Sequence, residues 1–509
     1  MKLRNFFEKH KFLISVCLIT FFVAIAELGL LYNKIAQGLL VWWMAVLLIG
    51  SIFLIPIFAL IIRKHWLSLQ VLTVLMLAVL GVLYLFVFTP NSVPDEPIHY
   101  RTAYHLSNKM MFDFGDQDSA LNMRQEDVMY MEKTPTMLSS RHYNQVSKDN
   151  YLFCKNKEVI TTAYGYMENK TLVYIPAATG ITLGRLIGLS GYWTYQLGRL
   201  FNFIMFAVFI FFAIKLMPFG KIAVSAISLI PMNMHIMASF SYDAFTTGGV
   251  ILLFAYIMHL MYDDKKIGFK ALSILAIMIA LIIPQKVVYI GVAALVLLLP
   301  KEKFKLPKWH FAFKCLLGLC AVGGIFILQL NNAPKLVSDS VSYSPDTAGY
   351  SMQYIFTHLP EIVVMLFRTL CNKTEFYLKS MVAFFGWFQI DTPWYLVMPV
   401  FFFVALSFMR KSDEPEPLPF TEKLYSIILF LAVFLLIELL LLIDHTPFGS
   451  LNIEGVQGRY FIPALPLIFL AIRNNLITVS KNIDDVIMIG MPTLNIIIIV
   501  FCVVRVLML

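Results

Sequence analysis

Apolar stretches long enough to cross a bilayer recur through the chain. They fall at 12–31, 39–62, 68–89, 171–190, 194–217, 221–239, 243–262, 267–283, 286–300, 311–330, 393–409, 422–443, 459–473 and 485–508. Two long polar intervals, 90–170 and 331–390, interrupt them. Uninterrupted apolar runs of this kind predict membrane-crossing helices, whereas a β-barrel would need short segments alternating residue by residue. The pattern predicts an all-α polytopic membrane protein.

Composition agrees, since 59% of the 509 residues are hydrophobic and only 14% are charged, too few to cover a soluble domain of that size. The net charge of +9 then reads as basic cytoplasmic loops and not as a nucleic-acid surface. Lys2, Arg4, Lys9 and Lys11 place the N-terminus inside, and Arg63 and Lys64 return the chain there after the second crossing. The third crossing leads outward, so 90–170 lies outside the membrane. A full crossing at 171–190 would put Lys215, Lys221, Lys265, Lys266, the basic run Lys301–Lys308 and Arg410 on the wrong side. Pro176, Arg185 and three glycines also suit a re-entrant or interfacial segment better than a simple span. About thirteen crossings result. The expected organisation is two peripheral helices in 1–67, a core over 68–409 carrying both outer loops, a Pro-rich cytoplasmic linker at 410–421, and C-terminal helices over 422–509.

This topology gathers the unusual polar residues at one face. Asp95, Glu96, His99 and Arg101 follow the third crossing. Arg199 and Asn202 lie near the outer end of the 194–217 segment, and Tyr242 with Asp243 forms an outer turn. Lys286 sits at another such turn, and Gln457, Arg459 and Tyr460 open the next-to-last crossing from outside. Ionisable side chains at membrane depth are costly and mark sites. Taken singly, each has a plainer role: Asp95, Glu96 and Asp243 as helix-start carboxylates, and the basic residues as interfacial anchors. No phosphate-binding Gly-rich loop, dinucleotide fingerprint, zinc-protease helix or nucleophile-elbow serine is present.

The segments Pro94-Asp95-Glu96-x-x-His99, Gly198-Arg199-Leu200-Phe201-Asn202, Ser241-Tyr242-Asp243 and Gly455-Val456-Gln457-Gly458-Arg459-Tyr460-Phe461-x-Pro463 occur in that order. Together they resemble a bacterial multi-pass membrane family known as a domain of unknown function, which is itself similar to the GT-C glycosyltransferase superfamily. The two helices before the third crossing depart from that pattern. The resemblance implies a GT-C-like bundle in the bacterial cell membrane with an extracytoplasmic active site. It also implies a polyprenyl-phosphate-sugar donor and an acidic catalytic residue in the first outer loop, here Asp95 or Glu96, with Asp243 as a second acidic residue. It leaves the metal open: some members of the superfamily hold a divalent cation (Mg or Mn) between such carboxylates, which here would be Asp95, Glu96 and Asp243.

Sugar transfer to a hydroxyl needs a carboxylate to take the acceptor proton, cationic groups for the departing phosphate, and a membrane groove for the lipid. The expectation is an inverting glycosyltransferase acting on a cell-wall or surface polysaccharide or a glycolipid, with no nucleic-acid partner. In it Asp95 is the base, supported by Glu96, while Lys286, Arg199 and Arg459 hold the phosphate and Asp243 orients the acceptor or a metal. The rivals are a polysaccharide polymerase or ligase, relying on outer arginines and a histidine, and a transporter or flippase of lipid-linked sugars.

Overall fold

The computed structural model describes residues 2–36, 42–117, 120–134, 136–149, 151–167, 171–306, 310–316, 318–319, 323, 349–415, 418–480 and 482–508. They form a predominantly helical membrane protein. Among the described residues six helices are long and apolar enough to cross a bilayer: Val46–Lys64, Leu69–Val87, Gly191–Leu216, Asp243–Tyr262, Phe420–Asp444 and Ile483–Val506. Six more apolar helices are shorter, namely Ile14–Gly29, Thr171–Ile187, Phe269–Gln285, Val287–Leu298, Trp394–Phe408 and Gly458–Ile472.

Thirteen full-length spans are therefore not confirmed among the described residues, and helix breaks account for part of the difference. The 221–239 segment divides into Lys221–Ser228 and Pro231–Met237, with Pro231 at the start of the second piece. The 286–300 segment is built of short 3-10 and α pieces beginning after Lys286, whose backbone is extended (φ −154°, ψ 91°). Pro284 just before it removes a helical donor. Most of the 311–330 segment lies outside the described residues. The 171–190 segment is a continuous helix, Thr171–Ile187, with Pro176 inside it. It packs along the first half of the Gly191–Leu216 helix, where a Cβ on Gly180 would stand 2.5 Å from the Leu197 carbonyl oxygen. Only glycine allows that approach.

The Gly191–Leu216 helix is the axis of the bundle, flanked by the Leu69–Val87, Thr171–Ile187 and Asp243–Tyr262 helices. Neighbouring helices are joined by polar ties inside the bundle: Thr73 donates to Ser225 at 2.9 Å, and Tyr84 to the Asn495 side chain at 2.9 Å. The N-terminal helices Lys2–Ala36 and Leu54–Lys64 pack on the Ile483–Val506 helix. Part of the stretch expected to be a linker is pinned in place, because Glu414 accepts from the Gly220 N–H at 2.8 Å and from Arg473 at 2.8 Å.

The first polar interval is more ordered than its lack of periodicity suggests. It contains helices Glu96–Met110, Gln125–Lys133 and Ser140–Asp149, and an antiparallel strand pair, Leu121–Arg124 with Val159–Thr162. A buried network holds these pieces together. Arg124 bonds Asp127 at 2.7 and 2.8 Å, Tyr104 donates to Asp127 at 2.7 Å, and Asn108 and His105 both bind Asp116. From the second interval the Leu359–Val382 helix emerges, followed by the hairpin Phe384–Phe385 with Ile390–Asp391. The hairpin reaches back over the first interval: Trp387 donates to the Asn91 carbonyl at 3.2 Å, and Gln389 accepts from the Leu138 N–H at 2.7 Å. Cys154 and Cys371, one in each interval, are both free.

Candidate functional site

The turn that enters the Glu96–Met110 helix carries two residues in the left-handed region, Asn91 (φ 65°) and Asp95 (φ 62°). Asn and Asp tolerate this conformation best among residues with a Cβ. Asn91 is compensated for it, since its side chain donates to the Met131 and Thr134 carbonyls and accepts from Tyr195. Asp95 is exposed, and its carboxylate makes no capping bond to the helix it starts. The carboxylate is instead left facing outward beside Arg459 and Tyr174, on both of which its charge acts.

Glu96, expected beside Asp95 as a second catalytic carboxylate, points the other way. It is fully buried, 3.3 Å from Arg199, and accepts from the Phe240 and Val93 N–H groups at 3.3 and 3.4 Å. Burial pushes its carboxyl up from the usual range, and Arg199 and the backbone donors pull it down without cancelling that rise. Arg199 is likewise no phosphate ligand in this geometry. It has no exposed surface, and its guanidinium donates to the Ala238 carbonyl at 2.7 Å, Phe88 at 2.7 Å, Leu85 at 3.3 Å and the Gln196 side chain at 3.1 Å. The pair ties the C-terminal end of the Leu69–Val87 helix to the 238–240 segment. Asn202 does the same for the next residues, donating to Ser239 at 2.8 Å and Ser241 at 3.0 Å. All three residues serve the scaffold that presents Asp95 and Asp243.

The second cluster forms where three elements meet. Asp243, the first residue of its helix, binds the Lys286 ammonium at 2.9 Å, and Arg459 Nε stands 3.7 Å from its other oxygen. Lys286 reaches it because the helix before it ends at the Pro284 break. Its ammonium lies 3.9 Å from the centre of the Tyr460 ring and 5.7 Å from that of Tyr242, within cation–π range. The 458–464 segment can deliver Arg459 and Tyr460 there only because residue 458 is glycine. A Cβ on Gly458 would stand 1.8 Å from the Tyr377 carbonyl oxygen. His99 closes the group, its Nδ1 2.6 Å from the Tyr174 hydroxyl and its ring 5.5 Å from that of Tyr242.

Of the sequence-predicted residues, then, Tyr242, Asp243, Lys286, Arg459 and Tyr460 converge, with Asp95 and His99 alongside. Arg101 turns away to bond its own helix at Pro97 and to lie over the Tyr164 ring. Gln457 lines a cleft next to Arg459. Sequence reasoning missed two residues. Tyr174 was hidden in the irregular-looking 171–190 segment. His235 stands beside Arg459 at that cleft, in a run of Met and Ile; an imidazole in an apolar segment was the available signal. A metal held by Asp95, Glu96 and Asp243 does not fit these positions, because Glu96 faces inward to Arg199 and Asp243 is taken by Lys286. Among the described residues no group of three or more His, Cys, Asp or Glu is placed to hold one.

Fold and site together define a multi-pass membrane protein with a polar centre at one end of its bundle. The chain belongs to the family described as predicted membrane protein (DUF2142), which matches residues 77–468 and so includes every residue of that centre. No curated protein and no solved structure matches the chain.

Proposed function

We propose that the protein is an inverting, GT-C-like glycosyltransferase of the bacterial cell membrane, which moves a sugar from a polyprenyl-phosphate carrier to an extracytoplasmic polysaccharide or glycolipid. The observation that carries this reading is an exposed carboxylate with no capping bond, Asp95, whose charge acts on Arg459, together with a cationic pair, Lys286 and Arg459, organised by a second carboxylate, Asp243. Transfer needs those two functions and needs them separated. The acceptor oxygen forms its bond to the anomeric carbon as the bond from that carbon to the phosphate oxygen breaks. Asp95 takes the acceptor proton. The electron pair leaves with the polyprenyl phosphate, whose charge rises by one, and Lys286 and Arg459 meet that charge. Asp243 keeps both cations in place before the donor arrives.

The reading is tested on purified protein by following polyprenyl phosphate released from a polyprenyl-phosphate sugar in the presence of acceptor. Lys286→Met should slow release by about a hundredfold or more and weaken donor binding, while the protein stays folded. Wild-type rates in that variant would remove the leaving-group role and the reading with it.

A further inference from the structure

The second polar interval leaves a row of large apolar side chains exposed. On the Met352–Thr357 and Leu359–Val382 helices these are Met352, Phe356, Leu359, Val363, Val364 and Phe367, with Phe356 67% and Phe367 69% exposed. Further along the second helix the exposed positions are mostly polar, among them Asn372, Thr374 and Glu375. Apolar surface gathered in this way marks a contact with another body.

At about 100° per residue, the first turns of the Leu359–Val382 helix divide into three faces. Ile362 and Thr369 are buried against the protein. Leu359, Val363, Val364 and Phe367 make a second face, apolar and exposed, and Glu361 with Arg368 makes a third, charged and exposed. A helix on a water-soluble surface needs only an apolar stripe turned to the core and a polar remainder. A helix lying in a bilayer interface beside its own protein needs all three. One face meets the protein, one the acyl chains, and one the headgroups and water.

The contacts of this helix set its level. The Phe420–Asp444 helix is long enough to span a bilayer, and the chain leaving its last turn pairs with the start of the apolar row. Gly349 bridges Pro447, and the Tyr350 and Tyr354 rings each lie 5.1 Å from the Phe448 ring. Tyrosines are at home where a span meets the headgroups. Further along, the Ile453 N–H donates to Thr369 at 2.8 Å, and Lys373 binds Glu454 at 3.1 Å. The far end of the helix receives the Gly458 N–H on Ser380 at 2.8 Å, where the apolar Gly458–Ile472 helix begins. The helix is therefore tied along the connection between the ends of two apolar helices. That holds it along the bilayer surface, at the end of the bundle that carries Arg459.

We propose that this apolar face is seated in the lipid leaflet at that end of the bundle. Its six apolar side chains lie among the acyl chains, and Arg368 reaches lipid phosphates. The bilayer is the partner because the face begins beside the end of a spanning helix, with a charged row along its edge as a headgroup layer requires. The leaflet then steadies a helix whose other end supports Gly458 and, through it, Arg459. The inference stands apart from the glycosyltransferase reading.

The test uses the full chain in lipid nanodiscs, with its native cysteines replaced and one spin label introduced at a time. The labelled variants are Phe356→Cys, Val363→Cys, Phe367→Cys, Arg368→Cys and Asn372→Cys. Collisions with oxygen, which concentrates among acyl chains, are compared with collisions with a water-soluble nickel chelate. Oxygen should dominate at 356, 363 and 367, and the ratio should reverse at 368 and 372. Chelate dominance at every position would leave the face in water and overturn the proposal. So would labels at 356, 363 and 367 that neither reagent reaches, since protein would then cover the face. Hydroxyl-radical footprinting of the wild-type protein in the same nanodiscs needs no variant. Met352, Phe356 and Phe367 should be oxidised several-fold less than their exposure would give in water, and oxidation in proportion to exposure would contradict the proposal.

Discussion

Asp95→Asn should abolish sugar transfer while leaving the protein folded, inserted and able to bind its donor. The expected loss is about two to four orders of magnitude, the range for removing a general base. The substitution changes charge and basicity and keeps shape. Asp95 is exposed and makes no capping bond to its helix, so little structure depends on its carboxylate. Asn also tolerates the left-handed backbone at this position. Donor titration and melting temperature of the same preparation separate a lost base from a lost fold. Transfer at the wild-type rate in Asp95→Asn would move the base elsewhere. Activity that instead vanished in Arg459→Ala and persisted in Asp95→Asn would favour the polymerase or ligase alternative.

The second large effect is on stability. Arg199→Ala should leave the buried Glu96 carboxylate and the Leu85, Phe88 and Ala238 carbonyls without their shared donor. Removing one partner of a buried ion pair costs about 3–5 kcal/mol, because the remaining charge has no solvent to turn to. The protein should lose monodisperse behaviour in detergent or melt well below the wild type. Arg199→Lys should rescue little, since one ammonium cannot span four acceptors on three elements. Adding Glu96→Gln to Arg199→Ala should recover part of the loss, as the uncompensated charge is gone. An Arg199→Ala protein that melts like the wild type yet binds donor weakly would return Arg199 to the phosphate site.

These two arginines show where the sequence can and cannot be read. Arg199 and Arg459 sit in nearly the same local setting, Gly-Arg-Leu-Phe and Gly-Arg-Tyr-Phe, and the hydropathy pattern assigns both to the outer ends of crossings. Neighbouring residues cannot tell them apart. Arg199 meets backbone carbonyls from two other elements and becomes a scaffold, whereas Arg459 meets Asp243 and a cleft. Asp95 and Glu96 divide the same way: at adjacent positions in a left-handed turn, one faces out and the other faces Arg199. What was legible was that these polar residues fall at or near the ends of apolar segments. That was enough to bring Tyr242, Asp243, Lys286, Arg459 and Tyr460 together from distant parts of the chain. The number of crossings was less legible, because a hydropathy window averages over breaks such as those at Pro231 and Lys286. His235 was lost among apolar neighbours, and its hydrogen-bond partner Gly386 lies in a hairpin more than a hundred residues away.

The central claim is transfer of a sugar from a polyprenyl phosphate to an envelope polymer. It is tested most directly by the sugar composition of envelope polysaccharides and glycolipids in a strain lacking the gene, measured beside its pool of lipid-linked sugars. The account predicts that one glycosyl component disappears from the envelope while the matching polyprenyl-phosphate sugar accumulates. A wild-type copy should reverse both changes, and an Asp95→Asn copy expressed to the same level should reverse neither. An unchanged envelope and an unchanged lipid pool, or full restoration by Asp95→Asn, would contradict it.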